Sequence, residues 1–169
     1  MSKQERPFVR RQGAQLAARL RQPRRFIHVV TGPRQVGKST LVQQVLRTLK
    51  LPVRYASADE PTLRGADWIG QQWDAARLGT KRSAGAVLVL DEVQKISDWP
   101  ETVKRLWDED TRARRPLKVV LLGSAPLLIA NSLTENLAGR FETIPLSHWA
   151  YAEMRVAFGW SVDAYLCYG

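Results

Sequence analysis

Short apolar runs alternate with helix-spaced apolar stripes along most of this chain. The segments 86–91 and 117–123 are almost continuously apolar, as is typical of central parallel strands that are buried on both faces. From residue 38 onward, apolar side chains recur with the spacing of one helix face. The pattern predicts strands at 26–31, 53–57, 86–91, 117–123 and 141–146, and helices at 38–50, 66–79, 100–110 and 126–137.

Strands that alternate with helices favour βαβ units, in which helices cover both faces of a parallel sheet. We therefore predict a three-layer α/β fold with a central, mostly parallel five-stranded sheet. Parallel sheets of this kind bind ligands at the carboxyl ends of their strands. The polar residues that directly follow the predicted strands are consequently the candidates for chemistry.

The first predicted strand is followed by Gly-Pro-Arg-Gln-Val-Gly-Lys-Ser at residues 32–39, and then by a helix. This is the G-x-x-x-x-G-K-[ST] phosphate loop, whose backbone N–H groups surround an anion at a helix N-terminus. Gly32 and Gly37 permit backbone angles and close approach that a Cβ would block. Lys38 is placed to reach the β- and γ-phosphates, and the hydroxyl of Ser39 to ligate Mg²⁺.

The sequence thus predicts a nucleoside triphosphate site. We expect ATP rather than GTP because the chain has no N-K-x-D segment for a guanine base. The predicted nucleotide-binding residues are Gly32, Pro33, Arg34, Gln35, Val36, Gly37, Lys38, Ser39 and Thr40.

Two adjacent carboxylates, Asp91 and Glu92, follow the buried strand at 86–91. In phosphate-loop ATPases a carboxylate at a strand end helps to hold Mg²⁺, often through its water shell. We predict Asp91 and Ser39 as the metal-binding residues and Glu92 as the base that orients the attacking water. Two carboxylates favour hydrolysis over phosphoryl transfer to an alcohol, and a kinase-like transferase is the weaker alternative.

Two further side chains complete the predicted catalytic set of Lys38, Glu92, Ser124 and Arg140. Ser124 follows the strand at 117–123, where a hydroxyl can sense the γ-phosphate; a helix N-cap or turn serine is the alternative. Arg140 precedes the last strand, and we expect it to stabilise transition-state charge in cis or from a neighbouring subunit. The alternative for Arg140 is a surface salt bridge to Glu142 or Glu135.

The segments at 32–39, 90–95, 121–125 and 137–142 with 145–147 together resemble the AAA+-like ATPases, and in particular the prokaryotic AAA_14-type ATPases. The resemblance extends from about Phe26 to Glu153. It implies a P-loop NTPase core of the ASCE/AAA+-like class. Members of this family commonly carry Gly-Ser-Ser after the fourth strand, whereas Ala125-Pro126 follows Ser124 here.

For the residues already named, the resemblance implies a Walker A motif at 32–39 and a Walker B motif at 87–92. It also implies a sensor-like Ser124 and an arginine finger at Arg140. A DUF4143 domain usually follows the ATPase domain in this family. We therefore expect the chain to be a fragment or truncated product with a missing C-terminal domain, or a partner in a homo-oligomer.

Positive charge is concentrated at the N-terminus. Residues 1–25 carry eight Lys/Arg and one Glu, a net charge of +7 out of +10 for the whole chain. We predict three parts: a basic arm with a short helix at 1–25, the ATPase core at 26–150, and the start of a following region at 151–169. A basic arm can bind nucleic acid or an acidic partner. A solvated helix packed on the core is the favoured alternative, because only Phe8 interleaves with the arginines.

The 169 residues contain one cysteine, Cys167, which excludes an internal disulfide framework. The sequence has no apolar run long enough to cross a bilayer and no secretory signal. We expect a cytoplasmic protein without a membrane partner. Two functions stay open: Mg²⁺-dependent ATP hydrolysis, and a nucleotide-gated switch or interaction module with little turnover.

Overall fold

The computed structural model describes residues 8–59, 67–80, 85–123, 135 and 137–168. Five strands form one sheet: β1 (Ile27–Thr31), β2 (Val53–Ser57), β3 (Ala86–Asp91), β4 (Leu117–Gly123) and β5 (Phe141–Pro145). The helices are α1 (Arg11–Arg21), α2 (Lys38–Leu46), α3 (Asp67–Thr80), α4 (Trp99–Arg112), α5 (Tyr151–Phe158) and α6 (Val162–Tyr168). A short 3₁₀ turn, Val93–Lys95, follows β3.

The strand order is β2-β3-β4-β1-β5, and each neighbouring pair is parallel. The predicted α/β fold with a five-stranded parallel sheet is therefore confirmed, and the sheet is parallel throughout. Leu90 of β3 and Val29 of β1 both pair with Leu121 of β4. The ends of β1 and β3 consequently lie level with each other at the carboxyl edge of the sheet.

The two faces of the sheet belong to two separate hydrophobic clusters, because successive strand residues point in opposite directions. In β3, Leu88 and Leu90 pack with α3 and α4, which contribute Trp73 and Trp107 among others. The alternate positions, such as Val89, pack with α1 and α2 on the other face. Helices on both faces leave β3 fully buried and β4 buried except at Lys118, which explains their near-continuous apolar sequence.

Helix α1 belongs to the core although its sequence is strongly basic. Leu16 and Leu20 are fully buried in the cluster that includes α2, and the helix ends before Pro23 as predicted. Arg19, on the exposed side, forms a salt bridge with Glu142 of β5 at 3.2 Å. Apolar residues at helical spacing therefore position α1, while its arginines lie at the surface or bind carboxylates.

Most predicted elements agree with the structure within a few residues. Helix α2 ends at Leu46 rather than at 50, and α4 begins at Trp99 with Asp98 at the predicted N-cap position. The Asp98 side chain makes no capping hydrogen bond. The predicted helix at 126–137 lies largely outside the described residues, and α6 was not predicted. Among the described residues, no helix has both the length and the apolarity that a membrane span requires.

A buried carboxylate holds α3 and α4 together. Asp110 is fully buried, and its Oδ2 accepts a hydrogen bond of 2.7 Å from the indole Nε1 of Trp73. Its Oδ1 accepts bonds from Arg77 at 2.8 Å and from Arg115 at 3.1 Å. A buried charge is tolerated where it is paired and hydrogen-bonded, and both conditions are met here.

We expect Asp110→Ala to lower the free energy of unfolding by about 3–5 kcal/mol, because Trp73 and Arg77 would lose a buried acceptor. Asp74→Ala is the matched control, since Asp74 pairs with the same Arg77 but its side chain is 71% exposed. We expect this control to cost less than about 1 kcal/mol. Urea denaturation measures both values. Equal losses in the two variants would contradict the proposed role of the buried carboxylate.

Candidate functional site

The loop between β1 and α2 and the end of β3 enclose a cavity at the carboxyl edge of the sheet. Its volume is about 500 Å³. Sequence reasoning expected a ligand at this edge, and most of the predicted loop residues line the cavity. The lining residues are Arg34, Gln35, Gly37, Lys38, Ser39, Thr40, Asp59, Glu92 and Lys95.

Glycine is required at position 32 by a neighbouring backbone. Gly32 has φ of +155°, and an ideal Cβ there would lie 2.2 Å from the carbonyl oxygen of Leu146. That segment is fixed next to the loop because the Leu146 N–H donates to the carbonyl of Thr31 at 2.7 Å. The chain that leaves β5 therefore forms the wall behind the start of the loop.

At the end of the loop, glycine is favoured by the backbone conformation and not by a lack of space for a side chain. Gly37 has φ of +89° and is the N-cap of α2, with no atom within 4 Å of an added Cβ. The N–H of Leu41 donates to its carbonyl at 2.9 Å, which is the first helical bond of α2. Gln35 also has positive φ, of 61°. These left-handed residues turn the loop so that α2 begins at the cavity with its N-terminus facing inward.

Lys38 is buried within the loop. Its Nζ donates hydrogen bonds to the carbonyl oxygens of Gly32, at 3.0 Å, and Pro33, at 2.6 Å. Burial lowers the pKa of the Lys38 ammonium, while the charges of Glu92 and Asp91 act in the opposite direction. The ammonium is thus held beside the loop amides, where it can complement phosphate charge.

Ser39 joins the loop to the acidic strand. Its Oγ donates a 2.8 Å hydrogen bond to Oδ2 of Asp91, which ends β3. The two residues lie 52 positions apart in the sequence. Asp91 follows Val89 by two residues, so it points to the face of the sheet on which α2 packs. The predicted metal-binding pair is therefore in direct contact.

The donor set of this pair fits Mg²⁺. A hydroxyl and a carboxylate are hard oxygen ligands, and Mg²⁺ commonly uses one or two protein ligands together with water and substrate phosphate. Within the described part of the chain, no group of three or more His, Cys, Asp or Glu is placed to form a metal cage. Ser39 and Asp91 therefore suit an ion whose remaining ligands are water molecules and phosphate oxygens.

Tyr55 of β2 also contacts the acidic residue, and sequence reasoning missed it. Its hydroxyl donates to the same Oδ2 of Asp91 that accepts from Ser39. Burial and the hydrogen bond to Asp91 both raise the pKa of the Tyr55 phenol, so it remains a donor. The sequence signal that could have identified Tyr55 is its position near the end of a predicted strand, since such strands pair in a parallel sheet and their ends lie close together.

Glu92 lies at the cavity wall with left-handed backbone angles, φ 54° and ψ 34°. Its Oε2 accepts a 2.7 Å hydrogen bond from Nε2 of Gln94. The turn after β3 therefore places Glu92 in the cavity lining with Lys38, while Asp91 contacts Ser39. Glu92 lines the cavity and Asp91 does not, so the expectation that both carboxylates address one ligand stays a prediction.

An ion pair that the sequence did not reveal forms another part of the wall. Lys95, in the turn after β3, pairs with Asp59, which follows β2. Both residues line the cavity. Their proximity depends on the pairing of β2 with β3, which places Ser57 beside Asp91. A single-sequence pattern carries no direct signal for such a pair.

Arg140 lies at the opposite edge of the sheet from the cavity. It directly precedes β5, whose Phe141 pairs with Ile27 at the start of β1. The five residues of β1 place it about 15 Å from the loop, at roughly 3.3 Å per residue. The structure does not bring Arg140 to the site within this chain. A role in a neighbouring subunit stays a prediction, and Ser124 lies outside the described residues.

The salt bridge of Arg140 differs from the alternatives considered for it. Its Nε and Nη2 bind Oδ1 and Oδ2 of Asp108 on α4, at 2.8 and 3.1 Å. This hydrogen bonding lowers the pKa of the Asp108 carboxyl and raises that of Arg140. The partner is therefore Asp108, and not Glu142, which pairs instead with Arg19.

Comparison with known proteins agrees with this geometry. Residues 24–155 match the family model AAA_14, described as an AAA domain. Over 137 residues, the chain is 34% identical to the uncharacterized proteins Rv2008c of Mycobacterium tuberculosis and Mb2031c of Mycobacterium bovis. The match covers 78% of this chain and 27% of each relative, so the chain spans about a quarter of their length. The chain therefore belongs to the AAA_14 family of AAA-type, nucleotide-binding domains.

Proposed function

We propose that this domain binds ATP with Mg²⁺ and hydrolyses it. The observation that carries the proposal is the 2.8 Å hydrogen bond between Ser39 and Asp91, which joins the phosphate loop to the acidic strand end. A loop that bound only an anion would not need a carboxylate at this position. Membership of an AAA-type family supports the same activity.

Different groups of the chain are proposed to bind the phosphates and the metal ion. The backbone N–H groups of residues 32–39, except at Pro33, would face the phosphates at the N-terminus of α2, and Lys38 adds a positive charge. Ser39 and Asp91 would hold the Mg²⁺ ion, with Tyr55 keeping the Asp91 carboxylate oriented. When bound, Mg²⁺ neutralises charge that develops on the phosphate oxygens.

Glu92 is proposed to orient the attacking water and accept its proton. Together with Lys95 and the loop residues, it lines the cavity in which the terminal phosphate would lie. Catalysis would come mainly from positioning and from preorganised charge. Ser124 and Arg140 are proposed to assist, Arg140 from a neighbouring subunit.

We expect Lys38→Ala to weaken ATP binding about tenfold or more, because a charged hydrogen bond to phosphate is lost. Glu92→Gln should retain binding and lower turnover by about 10²–10⁴-fold, the usual contribution of a general base. Steady-state phosphate release, with ATP binding measured in parallel, separates the two effects.

Glu101→Gln is the control for this pair, since Glu101 is an exposed glutamate in the first turn of α4. It should leave both quantities unchanged. Unaltered turnover in Glu92→Gln would exclude Glu92 as the base. Tight ATP binding by the wild type without turnover would instead favour a nucleotide-gated switch.

The metal assignment has its own test. We expect Asp91→Asn to raise the Mg²⁺ concentration for half-maximal activity by about 10–100-fold, the usual cost of losing a carboxylate that orients a metal site. Asp59→Asn is the matched control, because Asp59 lines the same cavity but pairs with Lys95. A Mg²⁺ titration of activity measures both. If both variants raised the required Mg²⁺ concentration equally, Asp91 would act only by adding negative charge to the cavity and not as a metal ligand.

A contribution of Arg140 from a second subunit predicts activity that rises with protein concentration. Arg140→Ala should then be inactive alone but should regain activity when mixed with Lys38→Ala, because each supplies what the other lacks. Arg112→Ala, an exposed arginine at the end of α4, serves as the control. Specific activity that is independent of concentration, with no recovery in the mixture, would exclude this role.

A further inference from the structure

Arg10 is a buried arginine outside the cavity that contacts three separate segments of the chain. Its side chain is 4% exposed, and it precedes α1 at the N-cap position. Nη1 donates to the carbonyls of Val36, at 3.4 Å, and Ser147, at 3.1 Å. Nη2 donates to the carbonyl of His148 at 3.4 Å. Glu153 of α5 receives the remaining two bonds, from Nε and Nη2, at 2.9 Å each.

These contacts use all the hydrogen-bonding capacity of the guanidinium. An arginine has five N–H donors in a fixed planar arrangement, and here each has an acceptor. The guanidinium carbon also lies 4.9 Å from the ring centroid of Trp149. Lysine would not reproduce this geometry, because its ammonium is a compact point charge with three donors. The site is built for arginine specifically.

The contact with Val36 sets the direction of a loop amide. Val36 directly precedes Gly37, which lines the cavity. In a planar trans peptide, the carbonyl of one residue and the N–H of the next point in opposite directions. With the Val36 carbonyl turned back toward Arg10, the Gly37 N–H points away from Arg10. Arg10 therefore constrains one of the amides that the loop presents.

The contact with Glu153 attaches α5 to the same point. None of the eight described residues of α5 is buried, and its ring contacts are those of Tyr151 with Tyr165 and of Phe158 with Trp149. Burial would raise the pKa of the Glu153 carboxyl, but hydrogen bonds from Arg10 and from the backbone N–H of Ala150 outweigh it and lower the pKa. Glu153 is thus ionised at neutral pH and caps α5 while it binds Arg10.

We propose that Arg10 is a positioning residue that couples the phosphate loop to α5, with Glu153 as its partner. The nucleotide part of the proposal rests on the function proposed above. Both ends of the link share one rigid guanidinium, so a change at Val36 alters the bonds to Glu153. Thermodynamic coupling is reciprocal: if α5 held in place favours the loop geometry that binds nucleotide, bound nucleotide stabilises the attachment of α5 by the same factor.

The link is first tested without nucleotide. Glu153→Gln removes the charged partner while Arg10 stays in place, and Arg10→Met removes the guanidinium with similar volume. We expect backbone hydrogen exchange in both segments, residues 32–40 and 150–158, to become about fivefold or more faster in each variant, the lower end of typical coupling. Arg19→Met is the matched control, because Arg19 lies on α1 and pairs with Glu142 far from the loop. It should change neither segment.

The second arm measures affinity for ADP, which requires no turnover. We expect Arg10→Met and Glu153→Gln to weaken ADP binding by about 5- to 150-fold, although neither residue lines the cavity. In the wild type, ADP should slow exchange in residues 150–158, and this effect should disappear in Glu153→Gln. Thermal unfolding is followed in parallel. A merely structural role would lower the midpoint without changing ADP affinity well below that temperature.

The two proposals fail in different ways. A wild type that binds no ADP would overturn the proposed function, while faster loop exchange in Glu153→Gln without ligand would still support the link. Loop exchange in folded Glu153→Gln that equals the wild type would overturn the link, whatever the nucleotide result. ADP affinity within about twofold of the wild type in both variants would also overturn it.

Discussion

The parallel pairing of β1 and β3 on either side of β4 is the constraint on which the site depends. A residue of β1 and a residue of β3 both pair with Leu121 of β4, so the carboxyl ends of β1 and β3 lie at nearly the same level. The loop that leaves β1 and the acid that ends β3 then meet across the width of one strand. A slip in register would reverse the face to which Asp91 points and would break its contact with Ser39. Sheet geometry, rather than sequence proximity, thus creates the site.

The two edges of the sheet carry different chemistry. At the carboxyl edge, the cavity is lined by two ammonium groups, the guanidinium of Arg34, two carboxylates and the N-terminus of α2. At the amino edge, cations bind backbone carbonyls or helix residues, as Arg24 binds the carbonyl of Leu117 and Lys118 that of Leu20. Arg140 belongs to this second edge. The polarity of the sheet therefore separates the groups that line the cavity from the groups that hold helices in place.

Elements and local motifs were predictable because their signals are short-range. The 3.6-residue and continuous apolar patterns located the strands, and the spacing of glycines with Lys38 located the loop. Contacts that depend on how distant segments pack were not predictable in this way. Tyr55 reaches Asp91 only because β2 pairs with β3. Asp108 of α4 meets Arg140 across 32 residues of sequence, and Arg10 meets Glu153 across 143.

The loop illustrates why residues outside a cavity matter to its function. The groups proposed to bind phosphate are mostly backbone amides, which have the same chemistry in every sequence, so their orientation is what the fold must specify. The left-handed angles of Gln35 are costly for a residue with a side chain and need surrounding support, whereas glycine adopts those of Gly37 readily. The Leu146 carbonyl behind Gly32 and the guanidinium of Arg10 behind Val36 supply it from two sides. Both supports involve the chain that leaves β5. The same segment, residues 146–148, therefore contacts the residues that hold the loop and leads into the C-terminal helices.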